Sequence, residues 1–200
     1  MKIDNPAARL HLFMVSTNTS EYRQQLTRNV MQTHLNMPGA SDQHLYRGIA
    51  GLLGLPDQID NILHEHFAGR RWTHWLGKVN ECFSKINLSS QWSQTISSID
   101  DRALTELEMI STLFETKGQI TLLDQAEMDV FREKINALKN DVITTDVSAE
   151  MRTTLLYYLN KILGAIESYQ ITGVEPIMEA IESTIGRAAI NEEYRSALKE

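Results

Sequence analysis

The stretch DDRALTELEMISTLFETKG, Asp100 to Gly118, decides the fold class. Leu104, Leu107, Ile110, Leu113 and Phe114 recur at steps of one to three residues that keep them on one side of a helix. Asp100 or Asp101 can cap its start, and Gly118 can stop it. The pattern then repeats three times. A helix of about 20 residues carries Leu123, Ala126, Val130, Ile135, Leu138 and Val142. Ser148 opens another, with Met151, Leu155, Tyr158, Leu159, Ile162 and Ile166. After Thr172 and Gly173, Pro176 suits the first turn of a fourth, with Ile177, Met178, Ile181 and Ile185 before Gly186. Each stripe is about one face wide, and the short connections favour antiparallel neighbours. The expectation is an acidic antiparallel four-helix unit over 100–187, followed by a polar, fraying tail over 188–200.

Working outward, the first 99 residues also lack strand alternation and show helical spacing. Helices are expected over 21–35 (capped by Ser20), 42–54 (capped by Ser41), 56–67 (led by Pro56) and 72–86. The Ser- and Gln-rich stretch from Leu88 to Ser98 reads as the junction. The whole is predicted to be an all-α helical bundle of about eight helices, with a near-neutral region over 1–99.

Charge supports the same partition. The 200 residues carry a net charge of −7. Residues 1–99 hold 9 basic and 7 acidic groups, whereas residues 100–200 hold 10 and 19. All six His and all three Trp fall in the first part. A single cysteine, Cys82, excludes an intramolecular disulfide and any zinc site built on cysteine pairs. The first residues do not form a signal peptide, and the longest apolar run, Ile49 to Leu55, is far short of the roughly 20 residues of a membrane span. A cytoplasmic protein without membrane attachment is expected. The acidic balance disfavours a general nucleic-acid binder. No phosphate loop, dinucleotide fingerprint or nucleophile motif is present, so no cofactor is expected.

Four clusters bear chemistry. In RNVMQTH, Arg28 to His34, an Arg followed by Asn precedes His by six residues, which resembles the motif of HEPN ribonucleases. The resemblance implies that His34 would move the 2′-hydroxyl proton while Arg28 stabilised phosphate charge, without a metal. With this many Arg and His, about one such match arises by chance, and the plain alternative is a surface pair. The run IAGLLGL, Ile49 to Leu55, before the helix led by Pro56 is similar to a helix-turn-helix, although Asp57, Asp60 and Glu65 would face phosphate. His64 and His66 point about 200° apart on a helix, and residue 68 is Ala, so neither they nor His74 make a metal site. Finally, GRRWTHW, Gly69 to Trp75, joins Arg70, Arg71, Trp72 and Trp75 to Lys78, a composition suited to a partner hot spot or to a core stripe.

The segment LYYLNKILGAIESYQITGVEPIMEAIESTIG, Leu156 to Gly186, resembles small helical bacterial proteins of unassigned function, some of them companions of toxin or phage-defence genes. It implies a cellular setting and no catalytic residue. Without a convincing active site, the reading that follows is a non-enzymatic interaction or regulatory subunit. It would bind a protein partner, or a second copy of itself, in a toxin-neutralising or phage-defence role. The HEPN-like ribonuclease and the helix-turn-helix nucleic-acid binder are the alternatives.

Overall fold

The fold is that of a computed structural model, which describes residues 5–67, 72–116, 125–192 and 194. It is all-α. Among the described residues there are ten helices and one isolated antiparallel bridge, between Leu26 and Gln91. The chain divides into two compact units, Met1–Leu122 and Leu123–Glu200.

The first unit holds α1 (Pro6–Thr17), α2 (Ser20–Arg23), α3 (Thr27–His34), α4 (Asp42–His66), α5 (His74–Ser84), α6 (Trp92–Ile96) and α7 (Asp101–Glu115). The deciding stretch is therefore α7. It begins at the cap Asp100, whose carboxylate accepts from the Ala103 N–H at 2.8 Å. Its buried face includes Leu107, Ile110 and Phe114, and the helix packs on α1 and α5 of its own unit. The division thus falls after α7, at residue 122, where charge had suggested residue 99. Asn5 caps α1, accepting from the Ala8 N–H at 2.7 Å, and its amide reaches the Ser111 carbonyl at 3.4 Å, tying α1 to α7.

Three expectations in this unit give way to non-local contacts. The helix expected over 21–35 breaks between α2 and α3 because residues 25–28 pair with residues 88–92 instead. Thr27 N–H donates to Ser90 O at 2.8 Å, and Trp92 N–H donates to Gln25 O at 2.9 Å. The same pairing turns the expected junction over 88–98 into core: Trp92 is fully buried, and its indole donates to Thr17 O at 3.0 Å. Residues 42–66 form one helix, with Pro56 inside it rather than at a new start. An interior proline costs about 3 kcal/mol through its missing donor and ring clash. The burial of Leu52, Leu55, Pro56 and Ile59 on one face offsets that cost. Gly48 has a packing reason, since a Cβ there would lie 2.7 Å from Met37 Sδ.

The second unit holds α8 (Gln125–Thr144), α9 (Ala149–Thr172) and α10 (Glu175–Ile190). Three helices stand where four were expected, because α7 is committed elsewhere. Ser148 caps α9 as expected, accepting from Met151 N–H at 3.2 Å. Gly173 takes φ 75° in the turn before α10, a conformation that favours glycine. Both α8 and α10 pack along α9, and among the described residues no comparable contact joins them to each other. In α8 the buried position is Met128, while Val130 and Leu138, expected inward, are exposed. Gly186 does not stop α10, which continues to Ile190. Tyr194, in the tail expected to fray, is buried against Met151 and Leu155.

Candidate interaction surface

On α3, Arg28 and His34 lie about 120° apart around the axis and about 9 Å apart along it, and their side chains go to different neighbours. Arg28 forms a two-pronged ion pair with Asp42 at the start of α4, with Nη2 to Oδ2 at 3.0 Å. That pairing raises the guanidinium pKa further and lowers that of Asp42. His34 turns towards α1 and α2 instead. Its ring meets the Phe13 and Tyr22 rings edge-on, at centroid distances of 6.1 and 4.6 Å, and Ser16 Oγ lies 3.4 Å from Nδ1. Nε2 is buried without a hydrogen-bond partner. Burial lowers the His34 pKa, which favours the neutral ring. Within one chain, the two residues do not converge on a phosphate.

The helix-turn-helix likeness lacks its turn, because residues 49–56 lie inside α4. His64 and His66 lie near the end of the same helix, beside Asp60 at 3.4 Å and Glu65 at 3.8 Å respectively. Among the described residues no group of three or more His, Cys, Asp or Glu could hold a metal ion, and no helix is long and apolar enough to cross a membrane.

The described members of the basic-aromatic cluster, Trp72, Trp75 and Lys78, differ in their surroundings. Arg70 and Arg71 lie outside the described residues. Trp72 is half-buried. Trp75 is fully buried in the core, on the face of α5 that also carries Val79 and Cys82. Lys78 is engaged with Glu81 at 3.8 Å and Asp100 at 4.0 Å. Two acids organise this corner, Asp100, expected only as a helix cap, and Glu106, which the sequence did not single out. Asp100 takes His74 Nε2 at 2.9 Å, and its bond to Ala103 N–H, then His74, hold its carboxyl below the usual range. Thr73 gives α5 no side-chain cap; Glu106 of α7 does so from a distance, accepting from Trp75 N–H at 3.0 Å and from Arg102 Nε at 3.1 Å. Burial pushes the Cys82 thiol up to about 12, so it is protonated and unreactive at neutral pH.

Large apolar side chains stand exposed in both units, Leu12 and Tyr46 among them in the first, and they are more frequent in the second. Phe131 and Leu138 on α8, Tyr157 on α9, and Met178 and Ile185 on α10 are each close to half exposed or more. This unit carries 8 basic against 14 acidic residues, a balance of −6, whereas the first carries 11 against 12, a balance of −1. The sequence held a signal for these positions. In α10 apolar side chains occupy more than the single stripe that one neighbour can cover. No protein-family model, no curated protein and no solved structure matches the chain.

Proposed function

We propose that the protein is a non-enzymatic helical interaction subunit whose second unit docks on another protein. The observation that carries this reading is the set of large apolar side chains left exposed on all three helices of that unit. Exposed apolar surface of this kind marks contact sites in soluble proteins. A toxin-neutralising or phage-defence accessory role is the specific form that the Leu156 to Gly186 resemblance supports. The ribonuclease alternative is disfavoured, since Arg28 would have to leave Asp42 and His34 would have to leave its aromatic surroundings.

The test is affinity capture of the tagged full chain from the cells that encode it, beside a double variant, Phe131→Ser with Leu138→Ser. A stoichiometric protein partner that the variant loses supports the proposal. Recovery of the wild type alone, as a stable monomer, overturns it. Expression of wild type and His34→Ala decides on the ribonuclease: loss of cellular RNA with the wild type only would replace the present reading.

A further inference from the structure

We infer that the outer face of α10 receives a helix of a partner protein that carries an apolar stripe flanked by Lys and Arg. This rests on the interaction reading above and names the partner's chemistry. At 100° per residue, Met178 and Ile185 fall within about 20° of one another, with Ile181 about 40° beyond Ile185. Met178 and Ile185 are 48% and 62% exposed. They are not the residues that hold α10 in place. The opposite side does that, with Ala180 fully buried and Lys161 of α9 reaching Ser183 Oγ at 2.9 Å. The helix thus buries one side and leaves Met178 and Ile185 exposed on another.

The border of that exposed side has one sign of charge. Glu175, Glu179 and Glu182 are all exposed and fall at about 40–100° to one side of Met178. The one base of α10, Arg187, falls on the opposite side of the helix from Met178. This ridge decides among occupants. A second copy docked antiparallel would set ridge against ridge, and a parallel copy would offer the carboxylates no cation. An anionic membrane surface would repel the same ridge. A helix with apolar residues three and four apart and Lys or Arg along one flank fills the stripe and pairs the acids.

The test uses the full chain and two synthetic helical peptides. One has Leu at three- and four-residue spacing flanked by Lys, and the other replaces each Lys by Glu. Binding is read by fluorescence anisotropy at low and high salt. The Lys peptide is expected to bind, more tightly at low salt, and the Glu peptide is not. The double variant Met178→Ser with Ile185→Ser is expected to weaken binding about tenfold. Changing Glu175, Glu179 and Glu182 to Gln should weaken it and flatten its salt dependence. Leu12→Ser on α1, an exposed apolar position of the first unit, should leave it unchanged. Binding indifferent to the Met178 and Ile185 changes would overturn the inference, as would equal binding of the Glu peptide. So would a wild-type dimer that Ile185→Ser dissolves. If the peptides fail while host capture still depends on Phe131 and Leu138, only the α10 assignment falls.

Discussion

The two units spend their apolar residues differently. Of the twelve largest fully buried side chains among the described residues, eleven are in the first unit, and Tyr194 is the exception. Of the fourteen large hydrophobics that stand exposed, eight are in the second unit, which is the shorter of the two. The difference is architectural. In the first unit α7 is sandwiched by α1 and α5, so its stripe meets neighbours on more than one side. In the second, among the described residues, two helices lie along a third with no comparable contact to each other. Similar amphipathic patterns therefore yield a filled core in one place and uncovered faces in the other.

The sharpest way to break that comparison is to remove one large core residue from each unit. Trp92→Ala should destabilise the first unit by about 3–5 kcal/mol, since it leaves a large cavity and an unpaired Thr17 carbonyl. Leu155→Ala in the second should cost only about 2 kcal/mol, because an open layer can settle into the space. All three Trp lie in the first unit, so urea unfolding followed by Trp75 and Trp72 emission reports on it, while far-ultraviolet circular dichroism reports on both. Equal costs for the two substitutions would mean that the second core is as tight as the first.

The next effect is smaller and tests a link that the sequence concealed. Glu106→Ala leaves the buried Trp75 N–H without an acceptor and should cost about 1–3 kcal/mol. Glu106→Gln retains an acceptor oxygen and should recover at least half of that loss in the thermal midpoint. If both variants melt like the wild type, Glu106 is not the cap of α5.

What was legible in the sequence follows from what is local. The caps at Ser41, Asp100 and Ser148, the turn at Gly173 and the helical class all depend on residues within a few positions of one another. The features that were not legible depend on distant partners. Nothing near Leu26 announces that its neighbours pair with residues 88–92, and nothing near Thr73 announces that Glu106 will cap α5. Pro56 has a local meaning, a first turn, that tertiary packing overrides. For the candidate site the lesson runs the other way. Arg28, His34 and Trp75 looked chemical by type and spacing, and each is taken up by an ion pair, an aromatic contact or the core. The α10 face looked like ordinary core, and part of it is uncovered.

The smallest expected effect separates the units by pH. All six His are in the first unit, and burial lowers the pKa of both His34 and His11. For His11 the nearby Glu108 works against that shift, whereas burial sets the shift of His34. A histidine whose folded value lies below its unfolded value binds protons more readily when unfolded. Stability is then full above the ordinary value of 6.5 and falls as the pH drops from there towards the lowered folded value. The carboxylates held low, Asp42, Glu81 and Asp100, add their own loss only at more acid pH, below their ordinary range of about 4. Between pH 7 and 5, therefore, tryptophan-detected unfolding should shift to lower urea in the wild type and shift less in His34→Leu. The second unit, with no histidine, should show no change over the same window. An unaltered pH slope in His34→Leu would show that its ring is already solvated, and with it that α1, α2 and α3 are not closed over that residue.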